Sequence, residues 1–290
     1  MKRSLKSALI LACAAFACMA NACAVMDGFM FNTQKLSSYT LSDSIIPASA
    51  REFITMESGP NKLKIYGYFV KSPKATANTP TIFYSHGNAR NIQAYWDRME
   101  IFYNAGYNTF IYDYRGYGMS EGSSSQQGLE EDAEAALAYT LSRRDVNPNN
   151  VMLYGYSLGG IPSVYLASKY AQSATFRPRA LITEAIYASA TDLVQSGSLI
   201  DIPGGFVMRD EFNNAERMRS VRCPLLLMHG EKDDFIPIER HGVKNWENAI
   251  NAAQPKVFWR IPNANHSTIP PTVGIDAFTK RLVDFTVSVR

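Results

Sequence analysis

The stretch Val151-Met152-Leu153-Tyr154-Gly155-Tyr156-Ser157-Leu158-Gly159-Gly160 limits more than any other what this chain can fold into. A buried-strand pattern runs directly into Gly-x-Ser-x-Gly, and an apolar helical pattern from Ile161 to Ala171 begins at once. A strand that passes into a helix with no intervening loop needs a very sharp turn, and Ser157 sits at its apex. From there its hydroxyl projects beyond the sheet edge, while the N–H of Leu158 points from a helix N-terminus toward any negative charge developing nearby. Gly155 and Gly159 are required because side chains at those places would collide across the turn. Gly-x-Ser-x-Gly alone is common by chance; the strand before it and the helix after it make the motif specific.

The rest of the chain repeats that strand-then-helix rhythm. Residues 51–57 and 62–70 form a strand pair around the turn Ser58-Gly59-Pro60-Asn61. Strands are predicted at 81–84, 108–114, 151–156, 180–186, 224–228 and 256–261. Helices are predicted over 91–105, 129–143, 161–171 and 272–289. Apolar strands alternating with helices imply an α/β fold, a mostly parallel central sheet with helices on both faces. Residues 51–290 are predicted to form that domain, with a short lid at about 187–219 and a lead-in of no clear period over 23–50.

The start of the chain reads as an export signal. Lys2, Arg3 and Lys6 precede an apolar run from Ser7 to Met19, too short for a comfortable membrane span, and Ala20-Asn21-Ala22 supplies small residues before Cys23. Residues 1–22 therefore predict a signal peptide, export across a bacterial inner membrane, and a protein that is periplasmic or lipid-anchored through Cys23. Cysteine usage favours the anchor: Cys13 and Cys18 leave with the signal, Cys223 opens an apolar strand as a small buried hydrophobe, and Cys23 has no obvious disulfide partner. The signal also carries three positive charges and no acid. The 29 Lys+Arg and 26 Asp+Glu of the whole chain become 26 of each without it, so no basic surface for nucleic acid remains. The remaining roughly 265 residues suit one large α/β domain.

A serine hydroxyl is a poor nucleophile until a base takes its proton, and the base needs a carboxylate to orient it. In this architecture the order expected is Ser, acid, His, each after a strand. Of four histidines, His266 alone lies in a loop after a C-terminal strand and before the final helix. The acid is expected in His229-Gly230-Glu231-Lys232-Asp233-Asp234, with Asp233 chosen, Asp234 the alternative and Glu231 third. His229 is expected as a packed core residue, and His241, within a helical pattern, as facing solvent. A second oxyanion donor is expected from Ser85-His86-Gly87-Asn88-Ala89, the N–H of Asn88 joining that of Leu158, with His86 holding the loop by hydrogen bonds. Asp113-Tyr114-Arg115-Gly116-Tyr117-Gly118 is expected to stabilise a neighbouring loop through an Asp113–Arg115 pair.

Taken together, Ser85-His86-Gly87-Asn88-Ala89, Tyr112-Asp113-Tyr114-Arg115-Gly116-Tyr117-Gly118, Gly155-Tyr156-Ser157-Leu158-Gly159 and His229-Gly230-Glu231-Lys232-Asp233 resemble successive motifs of the α/β-hydrolase superfamily. The similarity runs over residues 60–290 and is greatest to the small-lidded branch of depalmitoylase-like and serine-aminopeptidase-like hydrolases. It implies a catalytic triad of Ser157, Asp233 and His266 with an oxyanion hole at Asn88 and Leu158. It implies a serine hydrolase that cleaves carboxylic esters or thioesters of small-molecule or lipid-like substrates. No cofactor is implied, and the chain shows no zinc spacing. An aminopeptidase-like peptidase with the same triad is the second reading, with Glu184 or Asp192 as a clamp for a free amino terminus. A non-catalytic envelope scaffold is the third. The chain departs from the family in its short lid and its export signal; acyl-chain length and oligomeric state are left open.

Overall fold

The structure, a computed structural model, describes residues 31–76, 78–197 and 211–289. The expected signal peptide, the lipidation candidate Cys23 and the centre of the expected lid, residues 198–210, lie outside them.

In chain order the elements begin with an antiparallel pair, β1 (Arg51–Ser58) and β2 (Leu63–Val70). Then come β3 (Thr81–Ser85), α1 (Trp96–Ala105), β4 (Asn108–Tyr112), α2 (Gln126–Ser142), β5 (Val151–Tyr156) and α3 (Gly160–Lys169). Next are β6 (Ala180–Glu184), α4 (Ala190–Gly197), α5 (Asn214–Met218), β7 (Leu225–Gly230), α6 (Gly242–Asn248) and β8 (Lys256–Ile261), and the chain closes with α7 (Ile269–Val273) and α8 (Ile275–Ser288). The eight strands form one sheet in the order β1-β2-β4-β3-β5-β6-β7-β8. β3 to β8 run parallel, and only β1 and β2 are antiparallel to their neighbours.

The continuous apolar strands follow from coverage on both sides. Val151 and Leu153 of β5 face one core with Phe83, Leu181, Leu129 and Leu137. Met152 and Tyr154 of the same strand face the other, with Ile82, Phe102, Phe278 and Leu282. Each strand thus divides its side chains between two helical layers, at the two-residue period of a pleated backbone.

Two helix boundaries differ from the sequence expectation for identifiable reasons. α2 starts three residues before the predicted Leu129, because Ser125 caps it by accepting the Gly128 N–H at 3.0 Å, and polar Gln126 and Gln127 fill its first turn. The expected closing helix is two helices, since Gly274 at φ 86° interrupts it.

His241 is the largest departure. Rather than facing solvent it is fully buried where the segment after β6 meets α6. Its Nδ1 accepts the Ala188 N–H at 3.0 Å, so the proton of the neutral ring sits on Nε2 and is donated to Ser196 Oγ at 2.9 Å. Ser196 in turn donates to Asp192 O at 2.7 Å. Burial pulls this imidazole down to about 4. An unfolded histidine titrates near 6.5, so between about pH 6.5 and about pH 4 protons bind the unfolded chain and not the folded one. Acidification across that window should remove about 3 kcal/mol of stability. Thermal melting of the parent should fall over this range, and a His241→Asn variant, whose amide cannot ionise, should show a flatter profile. Parallel profiles would show that another group titrates.

Candidate active site

The parallel strands all end on one side of the sheet, and the chemistry-bearing residues lie in the loops that leave that edge. Ser157 follows β5 at φ 51°, a left-handed conformation that a side-chain-bearing residue holds only where its surroundings over-determine it. Those surroundings are backbone. A Cβ on Gly159 would lie 1.9 Å from Ser85 O and 2.7 Å from His86 O, and one on Gly155 would lie 2.6 Å from Gly159 O. The turn after β5 is thus pressed against the end of β3, which only glycine allows at these two places.

The structure brings Ser157, His266 and Asp233 together from three loops. His266 Nε2 lies 2.9 Å from Ser157 Oγ, and His266 Nδ1 lies 2.9 Å from Asp233 Oδ2. Asp233 Oδ1 accepts the N–H groups of Phe235 and Ile236 at 3.1 and 2.7 Å, and His229 Nε2 approaches Oδ2 to 3.5 Å. Burial alone would raise this carboxyl, but hydrogen bonds from His229 and His266 outweigh it and hold the group well below the usual carboxylate range. It is an anion that fixes the imidazole with Nε2 free to accept from the serine hydroxyl. The other two acids considered are not in this position: Glu231 pairs with Arg260 at 3.0 Å, and Asp234 is exposed. His229 is buried and donates from Nε2 to Ile236 O at 2.7 Å, behind the carboxylate.

The Asn88 N–H reaches no backbone acceptor among the described residues, and Leu158 directly follows Ser157 in the turn that leads into α3. The loop carrying Asn88 is held by His86, which is fully buried between the rings of Tyr95 and Tyr114, with Nδ1 2.7 Å from Gly87 O and Nε2 3.0 Å from Asp113 Oδ1.

Two pairings differ from those expected. Asp113 does not pair with Arg115; Arg115 binds Asp132 and Glu131, both at 2.8 Å, and Asp113 serves Tyr39, Ile92 and His86. Glu184 and Asp192, considered as clamps for a free amino group, are already engaged. Glu184 is fully buried, 2.9 Å from Arg98 Nη2 and bonded by the Tyr154 hydroxyl, and Asp192 holds Lys244 at 2.8 Å.

The sequence did not single out Arg98, Tyr156 or Phe235. The Tyr156 ring stacks against His266 at 5.7 Å, with the Arg98 guanidinium 5.5 Å from its centre. The exposed Phe235 packs edge-on against His266 at 5.1 Å. Only Tyr156, inside the serine motif, carried a sequence signal; Arg98 lies in a helix where an arginine ordinarily faces water.

Among the described residues no group of histidines, cysteines and acids is placed to hold a metal ion, and no helix is long and apolar enough to cross a membrane. Cys223 is free and half-buried at the core margin, its thiol pushed up to about 12 by burial.

Known proteins are similar to this chain in sequence and in fold. A family profile described as serine aminopeptidase, S33, matches residues 76–191. The chain is 31% identical over 229 residues to "Uncharacterized protein YfhR" of Escherichia coli K12, covering 78% of this chain and 77% of that one. It is 30% identical over 223 residues to alpha/beta hydrolase domain-containing protein 17B of Homo sapiens, covering 75% and 69%. Among solved structures, the Pyrococcus furiosus esterase Pf2001 superposes with a TM-score of 0.68 at 15% identity, over 88% of this chain and 97% of that one.

The buried pair beneath the site yields a measurable expectation. Arg98→Met strands the Glu184 carboxylate in the core and should cost about 3–5 kcal/mol in denaturant unfolding. Adding Glu184→Leu should recover most of that loss. Equal stability of the single variant and the parent would mean the ion pair does not form.

Proposed function

This chain belongs to the α/β-hydrolase superfamily and is a hydrolase, and from that premise we propose that it cleaves carboxylic esters or thioesters through an acyl-enzyme at Ser157. The observation that carries the proposal is the unbroken hydrogen-bonded line from Ser157 Oγ through His266 to Asp233.

In the first half-reaction Ser157 Oγ attacks the carbonyl carbon while its proton passes to His266 Nε2. Asp233, kept ionised, stabilises the imidazolium and holds its tautomer. The carbonyl oxygen becomes an oxyanion that accepts the N–H groups of Asn88 and Leu158, each donor lowering the barrier by about 3 kcal/mol. Collapse breaks the bond to the alcohol or thiol, which leaves with the proton from His266. Water then attacks the acyl-enzyme with His266 again as base, releasing the carboxylic acid and restoring Ser157.

The profile's description supports a second reading, a serine aminopeptidase. Such an enzyme needs an anionic partner for the substrate's amino terminus, and the two carboxylates considered for it are neutralised by Arg98 and Lys244. Ester chemistry is therefore preferred, on small-molecule or lipid-like acyl substrates. The basic, apolar and small-residue segments of residues 1–22 support export, and Cys23 directly after them supports attachment to the cell envelope through lipid.

Fluorophosphonate labelling should modify Ser157, and the Ser157→Ala variant should stay folded, remain unlabelled and lose at least about 10⁴-fold in turnover of p-nitrophenyl esters. Labelling elsewhere, or turnover surviving in the variant, would remove Ser157 from its role; no labelling at all would leave the scaffold reading. Aminoacyl anilides cleaved faster than esters would select the peptidase. The mass of the exported protein's N-terminal peptide should show an acylated Cys23.

A further inference from the structure

Residues 31–50 contain no regular element longer than a single 3-10 turn at Ala48–Ala50, yet their first part is laid along the loop that carries Asn88. Arg90 N–H donates to Asn32 O at 3.0 Å and Gln34 N–H donates to Arg90 O at 3.2 Å. Two residues further on, Gly118 N–H donates to Gln34 O and Leu36 N–H to Gly118 O, both at 2.9 Å. Residues 32–36 therefore stitch the loop after β3 to the loop after β4. Side chains reinforce the seam: Asn91 donates to Gln34 Oε1 at 3.3 Å, and Tyr39 donates to Asp113 Oδ2 at 2.5 Å.

Asn88 is the point on which the seam converges. Its side-chain oxygen accepts the Asn32 N–H at 2.8 Å and the Tyr117 hydroxyl at 2.6 Å. The side chain is committed to the scaffold, and the backbone N–H donates to no backbone group among the described residues. Two residues on, Arg90 stands at φ 58°, where a side-chain-bearing residue is strained. The seam takes both its N–H and its C=O, which holds the conformation and with it the direction of the loop.

We infer that residues 32–36, with Tyr117, are a positioning element of the oxyanion hole, fixing the Asn88 peptide where a tetrahedral intermediate develops its charge. The inference rests on the serine-hydrolase reading above. A donor that is displaced or free to swing no longer serves the transition state, while substrate binding in the ground state is little affected.

The test uses the full chain with two variants. Gln34→Pro removes the N–H that Arg90 O accepts, and Tyr117→Phe removes one donor to Asn88. On a p-nitrophenyl ester kcat should fall about 10- to 100-fold with KM within about twofold, a share of the 10²–10³-fold that loss of a whole donor costs. Affinity for a trifluoromethyl ketone, whose adduct needs the oxyanion hole, should fall in parallel with kcat, and the pH–rate profile should keep its shape because His266 is untouched. Should Gln34→Pro not fold, Tyr117→Phe decides by the same readings. Parental kcat and ketone affinity in a folded variant, or a change confined to KM, overturns the inference. A parent that does not take up fluorophosphonate at Ser157 overturns the hydrolase reading instead, so the two failures are distinct.

Discussion

The site depends on how closely the turn after β5 approaches the end of β3. Backbone meets backbone there with no room for a methyl group: Gly159 stands against Ser85 O and Gly155 against Gly159 O. That contact drives Ser157 into a left-handed conformation and keeps its hydroxyl beyond the sheet edge. It also brings the turn that carries Leu158 against the end of β3, from which the loop of Asn88 departs, because the parallel pairing of β3 with β5 aligns Ser85 with Gly155. Strain at the serine is sustained by a sheet whose two cores are closed on both faces.

Behind this edge the protein buries polar and charged as well as aromatic side chains. Tyr84, Tyr112, Tyr114, Tyr117 and Tyr154 are fully enclosed, and the Arg98–Glu184 pair is buried beside Tyr84 and Tyr154. Burying two charges is costly unless their hydrogen bonds are complete, and here the Tyr154 hydroxyl adds a further bond to Glu184. The arrangement carries a structural consequence for the site: the Arg98 guanidinium supports the Tyr156 ring, and that ring backs the His266 imidazole. The imidazole is thereby restrained from three directions, by Tyr156, Phe235 and Asp233.

Much of this was legible in the chain. The alternation of apolar strands with helical patterns required an α/β sheet covered on both faces, and the eight strands lie close to the predicted positions. Ser157 stood out because strand, turn and helix signals meet at one residue. Asp233 and His266 stood out by order after later strands, and the structure places both in hydrogen-bonding line with the serine. His241 was misread because a helical period identifies which residues share a face, not whether another segment later covers that face. The Asp113–Arg115 pair was misread for a related reason. Neighbours two apart in sequence are easy to pair on paper, while the stronger partners, Asp132 and Glu131, come from a helix sixteen residues away and more.

The sequence by itself determined the kinds of residue and the local geometry. It set a glycine-flanked serine where a strand meets a helix, an acid and a histidine after the later strands, and strands apolar enough to demand cover on both sides. Only the tertiary structure decided which groups touch. That Asp233 rather than Asp234 or Glu231 reaches the imidazole, that Arg98 neutralises Glu184, and that an unpatterned lead-in seams the loop of Asn88 are facts about segments far apart in the chain. Local propensity acts over a few residues, whereas hydrogen bonds and ion pairs are allotted only after the sheet has brought distant loops to a common edge, out of water, where a polar group left without a partner is costly.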